Sequence, residues 1–374
     1  MSNNKIIQLI ENGLIPFQKK SESRGHPVNI HDRMKALKVP GISILIIKDF
    51  EIKFKLCYGK TGVDTKPNVG KNSIFHACSI SKFITALAIL KMVEKGLIDL
   101  DEAINNKLTS WKFPENKFTQ DIKITLRHLL SHQAGIIDSS DSFDILKKPF
   151  PYPLNLDVIQ GRTSYHAQEI RAQNVPGTTF QYSDGGFCII EQLIVDEFKK
   201  PFNEIIKSEI FAPLGIEESF YHIPTKKYQY SEAVCGYDQS GNKIENDRPI
   251  YPYMAAAGLW TTPSHLGKII LDFMESLQGK GKIISDPIIA KEMVSPQGCF
   301  ADVGLGIFID SERTETMMIS NGWGVGFQCN FIAFPESGTA CVIMMNMDPG
   351  KSQQESIIGE IYRSIGKTLK LNGF

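Results

Sequence analysis

Apolar and polar positions alternate in a way that divides the chain into a strand-rich beginning, a helical middle and a strand-rich end. Residues 42–47 are apolar except for Ser43. Residues 52–58 then set Ile52, Phe54, Leu56 and Tyr58 against Lys53, Lys55 and Cys57. A continuous run followed by a period of two predicts a buried strand paired with a half-exposed one, joined through residues 48–51. A matching set lies at the far end, over residues 304–309, 316–319, 327–334 and 338–345. Between them the apolar spacing turns helical. Helices are predicted over 79–95, stopped by Gly96, and over 186–198, 202–211, 263–277 with Thr262 as N-cap, and 287–294. A final helix over 352–369 closes the chain.

Strands at both ends with helices between predict an α+β fold. Its antiparallel sheet is built from both chain ends and flanked by helices, with a mainly helical subdomain inserted. At 374 residues the chain exceeds the usual single-domain size. The expectation is one unit over 1–374, with a sheet subdomain of about 1–78 and 297–374 and a helical subdomain of about 79–296. No repeat, low-complexity tract or long linker interrupts it. Residues 152–171 and 238–253 are rich in Tyr, Pro, Asn and charge, and are expected as surface loops that line a cleft.

Composition narrows the function classes. Lys plus Arg equals Asp plus Glu at 41 each, so electrostatics offers no reason for nucleic acid or an anionic membrane as partner. No apolar run is long enough for a membrane span, and the first residues lack a signal-peptide pattern. The seven cysteines are odd in number and none form CxxC. A reduced, cytoplasmic protein fits this usage. Homo-oligomerisation is left open.

The chemistry begins at Ser79-Ile80-Ser81-Lys82, at the head of the predicted 79–95 helix. Residues three apart share a helix face, so a hydroxyl and an amine are brought together. Serine needs a base to become a nucleophile, and a lysine serves only if its environment lowers its pKa. The bare spacing is weak, since about one or two such matches arise by chance in a chain of this composition. A second copy, Ser364-Ile365-Gly366-Lys367, reads as the polar face of a covering helix. The literal Lys60-Thr61-Gly62 reads as a turn between strands.

Other segments follow Ser79 in a telling order. These are Leu129-Leu130-Ser131-His132-Gln133-Ala134-Gly135, Tyr182-Ser183-Asp184, Ala257-Gly258-Leu259-Trp260-Thr261-Thr262 and Ser320-Asn321-Gly322. With Ser79 and Lys82 they resemble the serine β-lactamase and penicillin-binding protein superfamily. Within it they resemble the class C-like branch, which includes esterases and D-amino-acid peptidases. The similarity runs from about residue 34 to the C-terminus. It implies an active site at the seam of sheet and helical regions, with Ser79 as acyl-accepting nucleophile, Lys82 as its base and Tyr182 as second base or proton shuttle. The backbone N–H groups of Ser79 and Trp323 are the implied oxyanion hole, with Asp184, Ser320, Asn321 and Gly322 around the substrate. No metal or cofactor is required.

Two positions depart from the family pattern. Asp184 replaces an Asn, turning an amide donor into an acceptor that could hold Lys82, raising the lysine pKa and weakening it as a base, or orient substrate. Ser320 replaces a Lys or His, so the cation that would hold a substrate carboxylate is missing. The expected substrate is therefore a carboxylic ester or a small amide or peptide of D-amino-acid type, in preference to a β-lactam. Each residue also has a bland reading: Ser79 as an N-cap, Lys82 as a solvated lysine, Tyr182 as a packed aromatic, Asp184 as a cap of the next helix, and Phe327 as core. His128 and His132 lack a third ligand and an HExxH pattern, so a structural role is expected. A catalytically weak binding or regulatory protein on the same fold is the alternative function.

Overall fold

The structure is a computed structural model that describes residues 2–17, 26–63, 67–139, 142–147, 152–163, 166–221 and 233–371. Residues 164–165 of the predicted 152–171 loop lie outside them. A six-stranded antiparallel sheet runs in the order β2-β1-β9-β8-β7-β6. Its strands are β1 (Gly41–Lys48), β2 (Glu51–Gly59), β6 (Phe308–Asp310), β7 (Met317–Gly324), β8 (Phe327–Phe334) and β9 (Thr339–Met345). The two chain ends meet where β1 pairs with β9, Ile44 opposite Ile343.

The continuous apolar character of β1 now has its cause. Leu45 and Ile47 join the larger core on one face, while Ile42, Ile44 and Ile46 join a second core on the other. A strand covered on both faces needs apolar residues at every position. The Asn3–Glu11 and Ile357–Leu369 helices pack together and contribute Ile10, Ile358, Ile361 and Ile365 to the second core. The Ser81–Glu94 and Pro263–Ser276 helices fill the larger one. Strand β2, at the sheet edge, alternates exposed and buried as its sequence predicts.

The middle of the chain is helical, with Thr262 capping the Pro263–Ser276 helix by accepting the His265 N–H. Several boundaries differ from the sequence reading. The predicted 304–309 strand shrinks to Phe308–Asp310, because residues 304–307 leave the sheet and Gly306 adopts φ +71° against the Lys82 carbonyl. Strand β7 instead extends to Gly324. A small sheet of β3 (Phe75–His76), β5 (Leu259–Thr261) and β4 (Phe220–Tyr221) was not predicted, since two or three residues carry no readable period. The 352–369 helix begins only at Ile357. Within it Ser364 is buried and donates to the Ile10 carbonyl, whereas Lys367 is exposed. The second SxxK copy is thus half core, half surface, and not a polar face.

Candidate active site

Ser79 does not open an α-helix. It lies in the 3-10 turn Cys78–Ile80, and the α-helix proper starts at Ser81. The N-cap position belongs to Ile80, so the capping reading of Ser79 falls. The turn is pinned from two sides. Ser81 Oγ donates to the Cys78 carbonyl at 2.6 Å and accepts the Leu259 N–H at 3.0 Å, tying the turn to β5. On the other side Gly322 of β7 approaches so closely that a Cβ there would stand 2.4 Å from the Ala77 carbonyl oxygen. Strand β6 pairs with β7 only from Met317 to Ile319, so the edge of β7 from Ser320 onward is left open beside this turn.

Lys82, one helical turn on, is 2 % exposed, and its Nζ has three acceptors. It donates to Ser79 Oγ at 3.2 Å, Asp184 Oδ1 at 2.5 Å and the Ala256 carbonyl at 2.9 Å. Three donors matched by three acceptors is the complement of an ammonium ion. Burial alone would push the Lys82 pKa down. The Asp184 carboxylate and the Tyr182 hydroxyl outweigh it, and the net shift is upward. Lys82 therefore rests as a cation, contrary to the lowered pKa its role as base demands.

Asp184 is the first residue of the Asp184–Phe198 helix, which Ser183 caps by accepting the Gly186 N–H at 3.0 Å. Capping belongs to Ser183 and the pairing with Lys82 to Asp184. Asp138, which the sequence reading missed, holds this helix start. Its carboxylate accepts Ser183 Oγ at 2.8 Å and the Asp184 N–H at 2.5 Å. Burial, then the nearby Asp184 carboxylate, pushes Asp138 up to about 6 against these hydrogen bonds.

Tyr182 is 36 % exposed, but its hydroxyl turns inward to Lys82 and Ser79. Its ring centroid is 4.8 Å from Lys82 Nζ. Burial raises its pKa more than Lys82 lowers it, so the phenol keeps its proton. His132 stacks on Tyr182 with centroids 4.3 Å apart and accepts the Ser183 N–H at 3.1 Å. Burial, and then Lys82, pushes His132 down to about 3, so it stays neutral. It lines the narrow recess, and its expected structural role is exerted there, holding the Ser183 backbone and packing on Tyr182. The signal was its place in the 129–135 loop. His128 caps its own helix with Thr125 and takes no part.

Ser79 sits between two recesses. A narrow one is lined by Lys82, His132, Tyr182, Phe308, Ser320 and Asn321. A wider cleft of about 370 Å³ is lined by Asp184, Tyr251, Tyr253, Trp323 and Asp348 among others. Tyr251 and Tyr253 come from the 238–253 loop expected to line a cleft. Trp323 is 45 % exposed and donates from Nε1 to Asp348 at 2.7 Å, while Phe327 is fully buried in the core. Gly322 lines neither recess and serves the close approach described above. Lys60-Thr61-Gly62 also lines neither. Among the described residues, no group of His, Cys, Asp and Glu could hold a metal ion. No described helix is long and apolar enough to cross a membrane.

The family model described as Beta-lactamase matches residues 29–359. The chain belongs to the beta-lactamase family. This is a family of serine hydrolases, and the expected superfamily and α+β fold are both borne out. Among curated relatives, Protein flp of Staphylococcus aureus (strain NCTC 8325 / PS 47) is 27 % identical over 237 residues, or 63 % of this chain. Those residues make up only 43 % of flp, so the chain spans less than half of that relative. Penicillin-binding protein 4* of Bacillus subtilis (strain 168) is 20 % identical, covering 84 % of this chain and 70 % of its own. Among solved structures, the D-amino acid amidase of Ochrobactrum anthropi SV3 has a TM-score of 0.75 at 19 % identity, over 98 % of this chain and 99 % of its own. The octameric penicillin-binding protein homologue of Pyrococcus abyssi has a TM-score of 0.73 at 23 % identity, over 92 % and 76 %. At these identities the two structures speak for the fold.

Proposed function

We propose that this chain hydrolyses a carboxylic ester or a small amide through an acyl-enzyme on Ser79. The observation that carries this reading is the buried Lys82 Nζ, 3.2 Å from Ser79 Oγ and bound to Asp184. In its neutral form Lys82 takes the Ser79 proton as Oγ attacks the carbonyl carbon. Asp184 controls how much of that form exists. Tyr182, held protonated, donates to the leaving group. The N–H groups of Ser79 and Trp323 face the developing oxyanion, Trp323 from the open edge of β7. Water then attacks the ester carbonyl, releases the acid and regenerates Ser79.

Ser320 and Asn321 supply no cation to the narrow recess. The favoured substrates are thus esters and amides without a carboxylate at that point, D-amino-acid amides included, ahead of β-lactams. Names of structural neighbours such as the D-amino acid amidase agree with an amide substrate. The cationic rest state of Lys82 favours the second reading, a weakly active binding protein. Fluorophosphonate labelling with mass-spectrometric mapping separates the two. A single adduct on Ser79, lost in Ser79→Ala, is the expected result. A folded wild-type protein without an adduct would leave only the binding reading.

A further inference from the structure

Cys78 immediately precedes Ser79, and the chemistry proposed above makes no use of its thiol. The residue adopts φ +49° and forms part of the wall of the wider cleft. Two groups meet its sulfur. His76 Nδ1 lies 3.2 Å from Sγ, and the same nitrogen accepts the Cys78 backbone N–H at 3.2 Å. Nδ1 is therefore the ring's unprotonated nitrogen and the S–H donates to it. The other group is Cys329 on β8, whose Sγ is 3.1 Å from the Ala77 carbonyl oxygen, and both sulfurs converge on the His76 carbonyl oxygen, Cys78 Sγ at 4.0 Å and Cys329 Sγ at 3.9 Å. His76 and Cys78 are each 1 % exposed and Cys329 is fully buried. The His76 Nε2 atom is buried without a hydrogen-bond partner, and Tyr251 and Trp260 enclose the ring.

We propose that Cys78, in the wall of the Ser79 cleft, and Cys329, buried behind it, are a redox-active thiol pair, which a hydroperoxide converts to a disulfide. Cys78 Sγ attacks the peroxide O–O bond and its proton passes to His76 Nδ1. The sulfur becomes a sulfenic acid, and the leaving oxygen takes a proton to depart as water or an alcohol. The Cys329 thiol then attacks that sulfur, the S–O bond breaks and water leaves. Two thiols are oxidised and one peroxide is reduced. Burial pushes the Cys78 thiol up, but the Cys329 hydrogen bond and His76 outweigh it and the net shift is downward, which favours the attacking thiolate. The crosslink draws Cys78 toward β8 and so displaces Ser79 beside it. That consequence, unlike the crosslink itself, rests on the Ser79 reading.

The test treats the whole folded chain with hydrogen peroxide, blocks remaining thiols and maps peptides without reduction. Cys299, which is exposed, is the internal standard. A Cys78–Cys329 crosslink is expected at peroxide levels that leave Cys299 free, reversed by dithiothreitol. Fluorophosphonate labelling of Ser79 should fall at least about tenfold and return on reduction. Oxidation of Cys299 with Cys78 and Cys329 still thiols would overturn the proposal, as would a Cys78 sulfinic acid with Cys329 untouched. Cys329→Ser, its folding checked by circular dichroism, should lose both crosslink and reversibility. Reduced wild type that never labels would sink the Ser79 reading while the crosslink result stands alone.

Discussion

Lys82 and Asp184 lie 2.5 Å apart, closer than Lys82 lies to the serine it would deprotonate. A carboxylate at this distance stabilises the ammonium and opposes the neutral amine. The rate should therefore rise with pH through neutrality, roughly tenfold per unit while Lys82 stays mostly protonated. Asp184→Asn removes the main upward influence and leaves burial opposed by Tyr182 alone. The acidic limb of kcat/KM should move down by about one unit or more. A pH profile of ester hydrolysis for both proteins decides this, and coincident limbs would remove Asp184 from the account.

Tyr182 is predicted to act late. Its raised pKa makes it a proton donor at neutral pH. Tyr182→Phe should lower kcat by about 10²–10⁴ for substrates with poor leaving groups. Nitrophenyl esters, whose leaving group needs no proton, should be nearly unaffected. Equal losses on both substrate types would assign Tyr182 to Ser79 activation instead.

Ser320 sets the charge of the narrow recess. It is 4 % exposed and stands where the family resemblance expects a cation. Ser320→Lys should strengthen acylation by carboxylate-bearing β-lactams about tenfold to a hundredfold, the worth of one charge-assisted hydrogen bond. Competition between penicillin and fluorophosphonate for Ser79 measures it.

Gly322 permits the contact between β7 and the nucleophile turn. A methyl at this residue would meet Cys329 Sγ at 2.3 Å and the Ala77 oxygen at 2.4 Å. Gly322→Ala should lower kcat well over tenfold, since small displacements of positioned groups are costly, with a smaller effect on the far-ultraviolet spectrum. A fully active variant would show that the turn tolerates being moved.

Away from the site, Glu94 ties the Ser81–Glu94 helix to residues 285–286. Its carboxylate accepts the Ser285 and Asp286 N–H groups and Lys91 Nζ. Burial raises its pKa, but these donors outweigh it and bring it down to about 2. A depressed carboxylate contributes stability above its unfolded pKa and loses it as pH falls through the folded one. Glu94→Gln should cost roughly 1–3 kcal/mol at pH 7, and the gap should close between about pH 4.5 and 2. Urea unfolding at both ends of that window checks the sign.

Much of this molecule was legible along the chain. The alternation in β2, the all-apolar β1 and the cap at Thr262 are local, because burial and capping are written in residue type and spacing. Ser79 and Lys82 were legible for the same reason, being three positions apart on one turn of backbone. What decided the state of the site was not local. Asp184 reaches Lys82 from 102 positions away, and Asp138 fixes Asp184 from 46 positions before it. No spacing encodes such contacts. Nor could the ionisation of Lys82 be read from its neighbours in sequence. It follows from the balance between lost hydration and a carboxylate that only the folded chain brings to 2.5 Å. The same closure of sheet upon helices placed Cys329 against the Ala77 carbonyl beside Cys78 and His132 against Tyr182, because packing across long separations is settled by the whole core at once.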